Sequence, residues 1–177
     1  MADNIATDEF PYQIVALFEP HSAVGDRVYK GPRGWLPQVT LKRRFGLRAM
    51  TEQAFLTEAH AFIEAASSFK IEFGEIDAAR HKLPVEVVEV VNQAPWDFYH
   101  AFIQHFGRHI NSRFPEREGE HYYPHMTIEW HGKRVVDPNL FRNSSRTVWH
   151  TWLLKDDIAA DDARIYAKFP LRGGKAR

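Results

Sequence analysis

The sequence contains no cysteine among its 177 residues. A disulfide framework, a thiolate zinc site, an iron–sulfur cluster and a cysteine nucleophile are therefore excluded. It also lacks net charge: 23 Lys and Arg balance 23 Asp and Glu, with ten histidines besides. A chain with that balance does not coat nucleic acid by bulk attraction, although a local basic cleft stays open to it. No apolar run approaches the roughly 18 residues of a membrane span. The first ten residues, Met1 to Phe10, are acidic and have no apolar h-region, so no secretory signal and no membrane partner are expected, and the expected setting is cytoplasmic. Hydrophobic residues at 44% and charged residues at 26% lie in the globular range. At 177 residues the chain buries about 70% of its unfolded surface and needs no covalent staple.

Local patterning predicts an α+β fold. Tyr12 to Glu19, Trp35 to Phe45, Phe69 to Ile76, Val85 to Val91, Tyr122 to Trp130, Thr147 to Leu154 and Arg164 to Phe169 read as strands. Pro20 to Gly34, with three glycines and two prolines, reads as a long loop. Thr51 is placed to cap a helix to about Ser67, whose Phe55, Ala59, Phe62, Ile63 and Ala66 share one face. Pro95 is placed to open a second helix burying Tyr99, Phe102, Ile103, Phe106 and Ile110. The expected organisation is a tail over residues 1–10, one domain over 11–171 and a basic tail over 172–177.

One pattern occurs twice, about half the chain apart. Pro37-Gln38-Val39-Thr40-Leu41 matches Pro124-His125-Met126-Thr127-Ile128 position by position, 87 residues on. Side chains alternate along a strand, so Gln38, Thr40, Lys42 and Arg44 are expected on one face and His125, Thr127 and Glu129 on one face. By the same parity Arg43 points away and Trp130 joins the core side. Two such strands brought together would floor a cleft with two hydroxyls, an imidazole and an amide. Hydroxyls donate to phosphate oxygens and an imidazole moves protons near neutral pH, so a phosphodiester is the natural ligand. Lys42 and Arg44 would form the basic edge of that cleft, Tyr123 would offer a stacking surface to a base, and Trp35 would line the cleft mouth. His105 and His109 lie four apart on the second helix, but no glutamate follows the first and no third ligand is evident, so no metal site is expected.

On these residues the sequence resembles the 2H phosphoesterase superfamily, the 2′-5′ RNA ligase-like and cyclic phosphodiesterase proteins, whose signature is two His-x-Thr-x motifs. The second motif is complete as His125-Met126-Thr127-Ile128; the first is degenerate, Gln38-Val39-Thr40-Leu41, with glutamine in the histidine position. The resemblance runs from about Tyr12 to Leu171. It implies two pseudo-symmetric lobes of antiparallel strands, helices outside, around a central cleft. It implies metal-free and cofactor-free chemistry on a 2′,3′-cyclic phosphate or a 2′-5′ phosphodiester, with RNA ends or small cyclic nucleotides as partners. His125 becomes one of the acid/base pair, Thr40 and Thr127 the holders of phosphate oxygens, and Gln38 the occupant of the second acid/base position. Glutamine exchanges no proton near neutral pH. The resemblance therefore leaves two readings open: a phosphodiesterase with weakened acid/base chemistry, and a binding module for nucleotides or RNA ends without turnover.

Overall fold

The computed structural model describes residues 10–18, 22–29, 36–77, 85–130, 132–157 and 162–173. The expected tails fall largely outside this set, and Trp35, expected at the cleft mouth, lies outside it. The chain runs β1 (Tyr12–Leu17), β2 (Arg27–Tyr29), β3 (Gln38–Leu47), α1 (Glu52–Ala65), β4 (Phe69–Asp77), β5 (Val85–Val90), α2 (Ala94–Phe106), β6 (Ile110–Ser112), β7 (His125–Trp130), β8 (Lys133–Arg134), β9 (Ser145–Val148), β10 (His150–Asp157) and β11 (Asp162–Pro170). The strands join in one sheet in the order β2-β11-β10-β1-β3-β7-β5-β4-β9, with β6 added beside β3 and β8 beside β7. The pairings are antiparallel. β3 ends one half of this order and β7 begins the other, and they meet through a single pair, Val39 opposite Met126.

The two helices cover the side of the sheet facing away from the cleft. Thr51 caps α1, its Oγ1 accepting from the Ala54 amide at 3.2 Å, and Phe55, Ala59 and Ile63 are buried beneath it. Pro95 lies in the first turn of α2, which buries Phe98, Tyr99, Phe102 and Phe106. Phe45 of β3 sits between the helices, 5.6 Å from Phe55 and 6.1 Å from Phe102 by ring centroids, and Phe55 meets Phe106 at 5.4 Å. This aromatic cluster is part of a core that also holds Val39, Leu41, Met126 and Ile128, the apolar alternates of the two motif strands. Aromatic pairs at this spacing add about 0.5–1.5 kcal/mol each beyond their buried area.

Three local expectations are corrected. The second helix does not reach Ile110. It stops at Gly107, where a Cβ would come within 2.5 Å of the Ile103 carbonyl oxygen, and Ile110 starts β6 instead. The loop assigned to Pro20–Gly34 contains β2, which pairs with the start of β11. The strand over Thr147–Leu154 is two strands: β9 pairs with β4, while β10 pairs with β1 and β11. These pairings depend on partners far away in the chain, which local patterning does not register. Among the described residues no helix is long and apolar enough to cross a membrane.

Candidate active site

The pair Val39–Met126 is the middle residue of each motif copy. Antiparallel register then sets Gln38 opposite Thr127 and Thr40 opposite His125, about 4.5–5.5 Å apart at Cβ. The four side chains on the other face of the strands share one cavity of about 250 Å³. Gln13, Val28, Leu154, Asp156, Ala163, Phe114, Arg43, Arg44 and Trp130 complete its lining. The structure thus brings Gln38, Thr40, His125, Thr127 and Arg44 together and leaves Lys42 and Tyr123 outside the lining.

Lys42 is displaced by the register of β3. Val15 of β1 lies opposite Thr40, Ile14 opposite Lys42 and Tyr12 opposite Phe45, so β3 uses an extra residue in each interval. A bulge reverses side-chain parity beyond it. Leu41 and Lys42 both turn to the buried side, and Arg43 and Arg44 both turn to the cleft. Lys42 has no exposed surface; its Nζ donates to Glu118 Oε1 at 2.5 Å and to Ser112 Oγ at 2.8 Å. Burial pushes its amine below the ordinary lysine value, against the opposing pull of Glu118. The expected basic edge is therefore Arg43 and Arg44, and Lys42 is a core residue.

The same event recurs on β7. Val87 of β5 faces Thr127 and Glu86 faces Glu129, one step against two, so the strand bulges at Ile128 and Trp130 swings onto the cleft face. In each copy the residue three after the motif threonine, Arg43 or Trp130, joins the cavity. Two bulges at equivalent places preserve the repeat past the point where simple alternation loses it.

Each polar group of the floor has a defined orientation. His125 Nδ1 lies 2.9 Å from the Tyr123 carbonyl oxygen. A carbonyl only accepts, so Nδ1 carries the proton and Nε2 is the proton-exchanging nitrogen of the neutral ring. The Tyr123 ring lies on the His125 ring at 5.3 Å, and its hydroxyl donates to Glu89 Oε1 at 3.1 Å. The Tyr123 ring thus packs on the imidazole. Thr40 Oγ1 accepts from Gln13 Nε2 at 2.9 Å, which leaves its O–H to donate elsewhere. The Thr40 carbonyl accepts from the Tyr122 hydroxyl at 2.9 Å, and Tyr122 stacks on Tyr99 at 4.2 Å, so the segment before β7 is tied to β3. Gln38 Oε1 is buried with no hydrogen-bond partner among the described residues. Arg44 Nη1 pairs with Asp156 Oδ2 at 2.7 Å. Phe114 closes one wall, with the guanidinium carbons of Arg113 and Arg117 at 5.3 and 5.4 Å from its ring centroid.

Sequence reasoning missed Gln13, Arg43, Phe114 and Trp130. For Arg43 and Trp130 strand alternation points the wrong way, because the bulges that turn them are set by pairing with β1 and β5. For Gln13 and Phe114 no local signal exists. Among the other described histidines, His121 is exposed on the approach to β7, His105 pairs with Glu58 at 2.9 Å, and His150 lies 6.4 Å from Trp152 by ring centroids; His21 and His131 lie outside the described residues.

No protein-family model matches the sequence, and no curated protein matches it. Solved structures match the fold. A crystal structure of a phosphoesterase is similar at a TM-score of 0.56 and 12% identity, over 93% of this chain and 99% of that one. Escherichia coli LigT complexed with NADP+ is similar at 0.54 and 12% identity, over 93% and 98%. The LigT complex with 3′-AMP is similar at 0.54 and 13% identity, over 92% and 98%. At such identity the likeness is one of fold: the chain shares with these structures an α+β architecture of mostly antiparallel strands with two helices.

Proposed function

We propose that the cleft between β3 and β7 is a phosphodiester site of the 2H type. Its ligand is a 2′,3′-cyclic phosphate or a 2′-5′ phosphodiester of a nucleotide or an RNA end. The observation that carries this reading is the Val39–Met126 pair, which sets both motif copies on one cavity wall with two hydroxyls and an imidazole. The binding of 3′-AMP by LigT, a protein of like fold, agrees with a nucleotide-sized ligand.

In this reading Thr40 and Thr127 donate to non-bridging phosphate oxygens. His125 Nε2 takes a proton from water, the water oxygen bonds to phosphorus, and the P–O bond to the ribose oxygen breaks with its electron pair on that oxygen. The ribose oxygen then needs a proton, and Gln38 has none to give near neutral pH. It draws that proton from solvent, and turnover is slower by about 10²–10⁴-fold than with a general acid in place. The indole of Trp130 forms an aromatic wall for a base.

The glutamine also favours a second reading, a module that binds nucleotide ends without turnover. Hydrolysis of nucleoside 2′,3′-cyclic phosphates by the unmodified chain, Gln38→His and His125→Ala separates the two. A weak activity that rises in Gln38→His and vanishes in His125→Ala supports the enzyme. Binding with no activity in either the unmodified chain or Gln38→His supports the module. Turnover by the unmodified chain that survives His125→Ala overturns the site.

A further inference from the structure

Arg43 lines the cleft, yet none of the described residues gives its guanidinium an ion pair or a hydrogen bond. The carboxylates that act on it are committed elsewhere. Glu118 accepts from Lys42 at 2.5 Å and from the Tyr99 hydroxyl at 2.5 Å, and Glu116 is an exposed side chain beside Arg117. Arg44, the next residue, is neutralised by Asp156 at 2.7 Å. Burial and the like charge of Arg117 both disfavour the charged form of Arg43. A planar cation with five donors, taken partly out of water and given no partner, is a cost to the fold that a bound anion removes. A strand bulge turns it to the cleft, where parity alone would send it away.

We propose that Arg43 is an anion-binding residue of this cleft, its guanidinium holding a non-bridging phosphate oxygen of the ligand from the β3 side. The proposal rests on the phosphodiester reading of the site and deepens it. The charge at Arg43 occupies the half of the cleft where Gln38 has replaced an ionisable ring. It also sets the direction of the ligand. The two strands are equivalent at Thr40 and Thr127 but carry a guanidinium at one end of the pattern and an indole at the other. A nucleotide therefore lies with its charged oxygens toward Arg43 and its base toward Trp130.

The test is calorimetric titration of the unmodified chain, Arg43→Gln, Arg43→Lys and Thr127→Val with 3′-AMP, with adenosine as the uncharged control and Tm measured for each variant. Arg43→Gln is expected to bind 3′-AMP about 10- to 100-fold more weakly, the size of a lost charged hydrogen bond. Adenosine binding is expected to be unchanged, Arg43→Lys to recover part of the loss, and Tm not to fall, since no native pair is broken. If Thr127→Val loses affinity and Arg43→Gln does not, Arg43 is no ligand and the site reading stands. A loss in Arg43→Gln that comes with a lower Tm and is not recovered by lysine assigns Arg43 a structural role and overturns the proposal. No binding of 3′-AMP by the unmodified chain overturns the site reading, and the proposal with it.

Discussion

Strand β3 brings an amide, a hydroxyl and a guanidinium to the cleft, from Gln38, Thr40 and Arg43. Strand β7 brings an imidazole, a hydroxyl and an indole, from His125, Thr127 and Trp130. The two strands share a bulge just past each threonine, and β3 has a second between Lys42 and Phe45. The side-chain types are divided between them: the imidazole stands on β7 and the guanidinium groups of Arg43 and Arg44 stand on β3. The repeat therefore fixes where side chains are delivered, while the residue type at each of three delivered positions decides what the half-site does. Between those positions the halves differ as well. Lys42 is fully buried and paired with Glu118, whereas its counterpart Glu129 is half-buried between β5 and β8, near Arg134.

The comparison breaks most visibly at the first position of each strand. In the enzyme reading proposed above, His125→Ala should lower kcat for a nucleoside 2′,3′-cyclic phosphate by about 10²–10⁴-fold. Gln38→His should raise kcat by a similar factor and turn a pH profile that rises to a plateau into a bell, since two exchanging groups then replace one. Steady-state kinetics against pH reads both.

Next in size is the residue two past the threonine. Glu118→Gln leaves the Lys42 ammonium buried without its counter-charge and should cost about 3–5 kcal/mol in urea unfolding. Lys42→Met, which removes the charge, should cost far less. Equal losses in both would show that packing of the lysine stem, and not the pair, is what matters.

The threonines offer a finer test. Thr127→Val should weaken 3′-AMP binding by about tenfold, the scale of one hydrogen bond to a charged group. Thr40→Val should cost more, because it also strips Gln13 Nε2 of its acceptor.

The smallest effect serves as a control remote from both halves. Burial would raise the Glu52 carboxyl, but hydrogen bonds from Lys155, Tyr12 and Tyr166 outweigh it and hold the group down at about 2, against an ordinary 4.5. A lowered carboxylate contributes stability that is complete above the ordinary value and is lost as pH falls through the folded one. Tm should thus decline between pH 4.5 and about 2, and Glu52→Gln should flatten that slope without touching the cleft's ligand affinity.

Much of this organisation was legible in the residues. Thr51 and the Phe55–Ala59–Ile63 spacing mark α1, and Pro95 marks the start of α2, because caps and helical periodicity are local. The two motif copies were legible for the same reason: alternation sorts Gln38 and Thr40 from Val39 and Leu41 within a few residues. Lys42, Arg43 and Trp130 were misassigned because alternation was carried past Thr40 and Thr127. Nothing in Leu41-Lys42-Arg43-Arg44 announces that two extra residues are absorbed there.

The sequence by itself determined the repeat, the residue types at its matching positions and the faces of the elements, since these follow from side-chain chemistry and the period of a helix or strand. The tertiary structure alone decided the meeting of the copies at Val39 and Met126, the bulges against β1 and β5, and the supporting contacts of Gln13 and Tyr123. A strand's register is set by the partner it pairs with, and these partners lie tens of residues away. The exchange of Lys42 for Arg43 at the cleft is the direct consequence of that register.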